Sequence, residues 1–295
     1  MNNELAQGKE DERMQLNRIY NEDCLEGMKR IPDGSVDMIL CDLPYGTTKN
    51  KWDVIIPFEP LWEQYNRIIK NNGAIVLFAD GLFMSNLMLS NTRLWRYNLV
   101  WDKVLTSGFL NANRMSLRQH EEICVFYKKQ PTYNPQKNKG KPNHSKGKPK
   151  TNANNNYGEF KFVDNKDILG DMKHPTSILR FAKPHPSVSL HPTQKPVALF
   201  EYLIKTYTNE GETVLDNCMG SGTTAIACIN TNRNFIGFEL DEKYWRIARS
   251  RVLDAMLDNP DFYKEDYKVT NPSEDFINDM REHRMASLNE AQGRY

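Results

Sequence analysis

With 295 residues, the chain is long enough for one α/β domain with an inserted region, or for two small domains. Its hydrophobic fraction of 39% and charged fraction of 26% are those of a soluble globular protein, and no apolar run approaches the length of a membrane span. The net charge of +1 gives by itself no indication of a nucleic-acid partner. The polar first residues lack the apolar core of a signal peptide, so we expect a cytoplasmic protein.

Strand and helix patterns alternate along the chain, after a leader over residues 1–16 that we expect to be flexible. Strands are predicted at 18–20, 36–41, 74–78, 97–101, 123–127, 177–181, 213–216 and 235–240. Helices are predicted at 25–30, 58–70, 83–89, 196–207, 223–230 and 244–257, and a polar tail over 259–295 is expected to hold one helix near 273–286. This alternation predicts an α/β protein with a mainly parallel sheet covered by helices.

The five cysteines form no CxxC pair, and four of them lie in or beside predicted strands and helices. This distribution favours reduced core thiols over disulfides or zinc ligands. We therefore expect no metal.

A lysine-rich segment interrupts the alternation between residue 128 and about residue 172. No acidic residue occurs between Ile123 and Gly158, and lysine, asparagine, proline and glycine dominate without a core period. Such a concentration of positive charge suits a polyanion, although a solvated loop has the same composition. Both interpretations hold together for a loop that becomes ordered on a nucleic acid.

A glycine-rich turn, Leu-Asp-Asn-Cys-Met-Gly-Ser-Gly-Thr-Thr-Ala over residues 215–225, joins a predicted strand to a predicted helix. Its glycines allow a ligand to approach the helix N-terminus, and Glu239 at the end of the next strand can accept hydrogen bonds from ribose hydroxyls. The spacing also fits the loose dinucleotide fingerprint, so an NAD-dependent oxidoreductase stays open. Asp216 favours another ligand, because it would repel a pyrophosphate but can bind the ammonium of a methionyl group.

The tetrapeptide Asp42-Leu43-Pro44-Tyr45 follows a buried apolar strand. An exocyclic base amine is a weak nucleophile, and two acceptors on its N–H groups would stabilise the positive charge that develops on methyl transfer. The Asp42 carboxylate and the Leu43 carbonyl can supply them, while Pro44 fixes the turn. Tyr45 offers a flat face for a base rotated out of the duplex. A plain strand-to-loop turn is the structural alternative for this motif alone.

Asp42–Tyr45, the segment His-Pro-Thr-Gln-Lys-Pro at 191–196 and the turn at 216–224 together resemble the three motifs of amino-group DNA methyltransferases. Their order resembles the circularly permuted beta class, over residues 18–257. The resemblance implies a Rossmann-like, seven-stranded, mostly parallel sheet. It assigns 17–127 to a catalytic half, 128–176 to a target-recognition insertion and 177–258 to a cofactor-binding half.

The resemblance implies transfer of a methyl group from S-adenosylmethionine to an amine in double-stranded DNA without a metal, and a homodimer by analogy with the class. The catalytic residues implied are Asp42, Leu43, Pro44 and Tyr45. The cofactor-binding residues implied are Asp23, Cys24, Asp42, His191, Thr193, Gln194, Lys195, Asp216, Asn217, Cys218, Gly220, Ser221, Gly222, Thr223, Thr224, Glu239 and Leu240. The DNA-binding residues implied are Lys103, His120, Lys137, Lys139, Lys141, Lys146 and Lys148.

Within the family, Asp23 would contact the cofactor adenine and Lys195 would lie near the methionyl carboxylate. The chain departs from the usual motifs at Leu43, where a proline is common, and at Asn217 and Cys218, where proline and phenylalanine are common. An aspartate at position 42 favours N6 of adenine, because cytosine-N4 members commonly carry serine there. Cytosine N4 and an RNA amine remain alternative targets, and a non-catalytic nucleic-acid-binding protein would leave the motifs without a role.

Overall fold

In a computed structural model, the described residues are 14–50, 52–142, 171–183, 194–259 and 262. The chain divides into two compact units, of which the larger comprises Met1–Asn134 with Ser177–Tyr295 and the smaller is Pro135–Thr176. The leader before residue 14, the helix predicted near 273–286, and His191, Thr193, Lys146 and Lys148 lie outside the described residues.

One sheet organises the larger unit, and its strands are β1 Arg18–Tyr20, β2 Val36–Asp42, β3 Ile69–Ala79, β4 Trp95–Ser107, β5 Arg118–Phe126, β8 Ile178–Arg180, β9 Thr213–Asp216 and β10 Asn234–Phe238. Their order across the sheet is β1-β10-β9-β2-β3-β5-β4-β8. β5 runs antiparallel to β3 and β4, and the other neighbours are parallel. This sheet therefore has eight strands among the described residues, where the family resemblance implies seven.

Helices cover both faces of this sheet. They are α1 Cys24–Met28, α2 Phe58–Ile68, α3 Gly81–Ser90, α4 Val197–Tyr207, α5 Thr223–Asn230 and α6 Glu242–Asp258. Successive residues of a strand point to opposite faces. Met38 and Leu40 of β2 accordingly pack in the core cluster with α4, α5 and α6, while Ile39 and Cys41 pack with α1, α2 and α3. The alternating pattern read from the sequence is thus confirmed as a three-layer α/β fold.

The second predicted helix ends earlier than expected. The sequence predicts a helix over 58–70 that stops at Asn71-Asn72-Gly73, but the helix stops at Ile68 and Ile69 begins β3. Pairing with β2, which sets Ile69 beside Val36, outweighs the local turn signal. Gly73 serves that pairing instead, because a Cβ there would lie 2.8 Å from the Asp37 carbonyl oxygen.

The smaller unit contains a short antiparallel pair between β6 Asn138–Lys139 and β7 Met172–Lys173. The exposed Lys139 ammonium lies 3.6 Å from the Asp171 carboxylate. No helix in the described part of the chain is long and apolar enough to cross a membrane.

Candidate active site and cofactor pocket

A cavity of about 1140 Å³ opens in the larger unit at the carboxyl ends of β2, β9 and β10. Parallel strands bring these ends to one edge of the sheet, which is where α/β proteins bind ligands. The cavity brings together most of the residues predicted from the sequence. They are Asp23, Cys24, Asp42, Leu43, Pro44, Tyr45, Lys103, Gln194, Lys195, Asp216, Asn217, Cys218, Gly220, Ser221, Thr223, Thr224, Glu239 and Leu240.

Asp42 ends β2 with both carboxylate oxygens engaged. Oδ1 accepts a hydrogen bond from the Tyr45 hydroxyl at 2.8 Å, and Oδ2 accepts one from the Lys195 ammonium at 2.6 Å. Burial raises the pKa of Asp42, and the positive charge of Lys195 opposes that rise. Burial and the nearby Asp42 charge hold the pKa of Tyr45 well above its usual value, so this phenol is a hydrogen-bond donor at neutral pH.

Lys195 and Glu121 join Asp42 and Lys103 in a charged cluster, which we call the cavity floor. The buried Lys195 ammonium lies 3.1 Å from Glu121 Oε2, and Lys103 lies 3.2 Å from Glu121 Oε1. Burial raises the pKa of Glu121, but the two ammonium groups outweigh it and the net pKa is lowered. Burial by itself would lower the pKa of Lys195, but the negative charges of Asp42 and Glu121 outweigh that effect, and the net pKa is raised. The two lysines and the two carboxylates thus form one cluster in which basic and acidic side chains alternate.

The glycine turn lies on the other side of the cavity. Asp216 ends β9 and is buried; its Oδ1 accepts from the Cys218 amide at 3.0 Å, and its Oδ2 accepts from the Thr224 hydroxyl. Burial raises the pKa of Asp216 to about 6. Gly220 has φ +54° and a Cβ there would meet nothing within 4 Å, so the chain leaves open space for a ligand beside it.

Gly222 has a different reason to be glycine. Its φ is +85°, and a Cβ would lie 3.2 Å from the Ala248 Cα and 3.3 Å from the Ala248 carbonyl oxygen. The residue therefore lets the turn pack closely on α6 as α5 begins. Gly222 does not itself line the cavity, unlike Gly220 and Ser221.

Glu239 follows β10 and makes hydrogen bonds to the glycine turn, to the start of α6 and to the segment after β1. Its Oε2 accepts from the Gly220 amide and its Oε1 from the Asp241 amide, each at 2.8 Å. Burial raises its pKa to about 7. The side chain of Asn21 donates to the Glu239 carbonyl at 2.8 Å, which holds the residue beside the segment that follows β1. These acceptors, the open glycine backbone and the buried Asp216 suit the ribose and the charged end of a nucleoside cofactor.

Two further residues that were predicted to bind the cofactor, Asp23 and Asn217, line the cavity and also make hydrogen bonds within the protein. Asp23 Oδ1 caps α1 by accepting from the Leu25 and Glu26 amides, at 2.8 and 3.2 Å. Asn217 is buried and accepts a hydrogen bond from the Tyr65 hydroxyl. All five cysteines are free, and four of them are buried. No group of side chains that could hold a metal occurs among the described residues.

The residues predicted to bind DNA belong to both compact units. Lys103 is buried at the cavity against Glu121, whereas His120 is exposed and does not line the cavity. Lys137, Lys139 and Lys141 are exposed in the smaller unit. Their role in DNA binding stays a prediction.

Sequence reasoning missed Asp53. Its carboxylate accepts from three successive amides, at 2.8 Å from Gly46, 2.9 Å from Thr47 and 2.6 Å from Thr48. It thereby fixes the backbone that follows Tyr45 at the cavity wall. The only sequence signal was an acid a few residues beyond a Gly-Thr-Thr turn, which is common in loops.

Sequence comparisons show to which known proteins the chain is similar. The sequence model of the N6/N4 methyltransferase family, described as DNA methylase, matches residues 36–250. The Type II methyltransferase M.BglII from Bacillus subtilis is 32% identical over 263 residues, which cover 79% of this chain and 68% of that protein. The Type II methyltransferase M.HpaI from Haemophilus parainfluenzae is 29% identical over 254 residues, or 80% and 74% of the two chains.

Solved structures show the same fold. The crystal structure of a complex of M1.HpyAVI with SAM superposes with a TM-score of 0.55 at 26% identity, and covers 80% of this chain and 98% of that one. The PvuII DNA methyltransferase, described as cytosine-N4-specific, gives a TM-score of 0.56 at 15% identity over 91% and 92% of the two chains. At that identity the likeness concerns the fold alone.

Proposed function

The chain belongs to the N6/N4 DNA methylase family, and from that premise we propose that it methylates N6 of adenine at a specific site in double-stranded DNA with S-adenosylmethionine as donor. The observation that carries the proposal is the common cavity of Asp42–Tyr45 and the turn at Asp216–Gly220. An oxidoreductase would use the glycine turn but leaves Asp42 and its ion pair with Lys195 without a role.

S-adenosylmethionine, when bound, supplies an electrophilic methyl group on a sulfonium. Asp216 can accept from its ammonium and Glu239 from its ribose hydroxyls, since both carboxylates line the cavity beside the open backbone of Gly220. The two carboxylates also attract the positive charge of the sulfonium.

Asp42 and Leu43 act on the target amine. The Asp42 carboxylate and the Leu43 carbonyl accept from the two N–H groups, which makes the nitrogen lone pair available for in-line attack on the methyl carbon. Transfer would leave the electron pair of the broken carbon–sulfur bond on sulfur and a positive charge on the target nitrogen. Asp42 stabilises that charge and accepts the departing proton; its raised pKa suits this task.

Tyr45 and Lys195 hold the acceptor ready. Both oxygens of Asp42 are occupied, by the Tyr45 hydroxyl and the Lys195 ammonium, so an arriving amine takes the place of the phenol while the ion pair keeps the carboxylate ionised. The ring of Tyr45 stacks on Phe83 with centroids 5.0 Å apart, which gives a rigid support for an unstacked base.

Cytosine N4 is the second candidate, because the same two acceptors would serve its amine and a cytosine-N4-specific enzyme shares the fold. The aspartate at position 42 favours adenine. Mass spectrometry of nucleosides from DNA treated with the protein and S-adenosylmethionine separates the two, and sequencing that maps methylated bases gives the recognition site. The Asp42→Ala variant is the control: it should still bind the donor in titration calorimetry and transfer no methyl group. A variant that keeps full activity would contradict the mechanism.

A further inference from the structure

The connection between β4 and β5 carries large apolar side chains into solvent. Leu110 is 100% exposed, Phe109 is 80% exposed and Met115 is 60% exposed. We call residues 104–117 the hairpin tip. Water-exposed side chains of this size, grouped on one short segment, are typical of a contact surface rather than of a loop that only connects strands.

The hairpin tip rises from the mouth of the cavity. Ser107 and Arg118 pair across its base, and both line the cavity that holds Asp42 and Tyr45. Lys103 and Glu121, a few residues further along the same two strands, belong to the charged cluster that includes Asp42. A molecule that delivers a base to Asp42 therefore passes the hairpin tip.

The charge of this segment selects the partner. Residues 103–120 contain no aspartate or glutamate, and they include the exposed Arg114, Arg118 and His120. Arg118 is paired with the Asp80 carboxylate at 3.0 Å, at the base of the segment. A second copy of this chain docking tip to tip would bring like charges together, which disfavours self-association through this surface. A phosphodiester backbone supplies the opposite charge.

The backbone bends where the hairpin tip begins. Val104 has φ +63° and Gly108 has φ +85°, and the pairing of β4 with β5 shifts register between Asp102 and Ser107. A β-branched residue in the left-handed region is a strained position, and an irregular ladder re-aims the segment beyond it. Asp102 holds the bend by accepting from the Val104 amide at 2.9 Å.

We propose that the hairpin tip is a wedge that enters the DNA duplex through Phe109 and Leu110 and fills the space left when the target base rotates out toward Asp42. The proposal rests on the proposed function. Apolar side chains that insert at a base step replace the stacking that the departing base loses, while arginines beside them bind the flanking phosphates. The wedge therefore offsets part of the cost of extruding a paired base.

The experiment uses the full chain and two short duplexes that contain the mapped recognition site. One duplex is fully paired, and the other carries a mismatch opposite the target base, which makes extrusion easier. Single-turnover methyl transfer is measured for the wild type, the double variant Phe109→Ala/Leu110→Ala, and the control Leu89→Ala. Leu89 is 73% exposed, like the residues under test. It lies on α3, which precedes the first residue of β4, whereas the hairpin tip lies at the other end of that strand.

The double variant should lose about 10-fold or more in rate on the paired duplex and much less on the mismatched one, because only the former needs the full unstacking energy. Its donor affinity in calorimetry and its melting temperature should equal those of the wild type, and Leu89→Ala should behave as the wild type on both duplexes.

An equal loss on both duplexes, no loss on either, or a change from dimer to monomer in the double variant would each overturn the wedge. Wild-type protein that methylates neither duplex would overturn the proposed function and the wedge with it. The wild-type measurement therefore separates failure of the proposed function from failure of the wedge alone.

Discussion

The Lys195 ammonium lies 2.6 Å from Oδ2 of Asp42, although 153 residues of chain separate them. The same ammonium reaches Glu121 at 3.1 Å. Lys195 is therefore paired with the carboxylate proposed to bind the target amine. The family resemblance implied a position near the methionyl carboxylate, and that role stays a prediction. The two roles differ in what a substitution would change, because one acts on the amine and the other on the donor.

We predict that Lys195→Met lowers the rate of methyl transfer by roughly 10- to 100-fold while the Kd for S-adenosylmethionine changes by less than about threefold. Without the ammonium, the pKa of Asp42 rises further, because burial is then opposed by less positive charge. Since the amine needs an ionised acceptor, the acidic limb of the pH–rate profile should move to higher pH.

Lys103→Met is the matched control for Lys195→Met. It removes the other ammonium of Glu121 but does not touch Asp42, so its acidic limb should stay closer to that of the wild type. A Lys195→Met protein whose donor affinity collapses while its rate at saturation persists would instead place the lysine at the methionyl carboxylate.

The strand and helix order could be predicted because its signals are local. The apolar run before Asp42 and the glycine turn after Asp216 each lie within a few residues, and parallel strands then carry both acids to one edge of the sheet. The end of the helix before Asn71–Gly73 was predicted wrongly because it depends on a distant contact. The pairing of Ile69 with β2 outweighs the local turn signal.

The charged cluster at the cavity floor could not be predicted. Lys195 and Glu121 come from distant segments, so their pairing is a tertiary contact that no local sequence pattern signals. Asp53 was missed for another reason, because an acid that binds amides five to seven residues earlier has the same sequence pattern as an ordinary loop acid.

Asp53→Ala should slow methyl transfer by about 10-fold and destabilise the protein by about 1–3 kcal/mol, since three amides would lose their common acceptor. Hydrogen exchange at Gly46–Thr48 should accelerate in the variant, which can be followed by mass spectrometry. Asp53→Asn keeps one acceptor oxygen and should lie between the wild type and Asp53→Ala. If Asp53→Ala slowed methyl transfer but left hydrogen exchange at Gly46–Thr48 unchanged, Asp53 would act directly on a ligand rather than on this backbone.

The affinity for S-adenosylmethionine should rise with pH. Burial raises the pKa of Glu239 to about 7 and that of Asp216 to about 6, and the ionised forms are the better acceptors. We expect the Kd at about pH 5.5 to be roughly tenfold weaker than at about pH 8, as measured by calorimetry. Glu239→Gln should abolish the part of this change centred near pH 7. A flat profile in the wild type would exclude both carboxylates as donor contacts.

The stability of the cofactor-free protein should change with pH in the opposite direction. The pKa values of Glu239 and Asp216 are raised on folding, so between their ordinary values and about 7 the folded state binds more protons than the unfolded chain. Stability is thus present at lower pH and is lost as the pH rises through this range. Thermal unfolding of wild type and Glu239→Gln across this range measures the difference, which should vanish at the acidic end. A wild-type melting temperature that rises through this range in step with that of Glu239→Gln would contradict the linkage.

Gly222→Ala should destabilise the protein by about 1–3 kcal/mol and weaken donor binding, since φ is +85° and the new methyl group would press on Ala248 at 3.2 Å. Gly34→Ala is the matched control, because Gly34 also has a positive φ, +58°, but a Cβ there meets nothing within 4 Å and the residue lies away from the cavity. The control should lose some stability and keep its donor affinity. If the two substitutions changed the donor affinity equally, the contact between position 222 and Ala248 would not matter for donor binding. Gly222 would then be required only because of its positive φ.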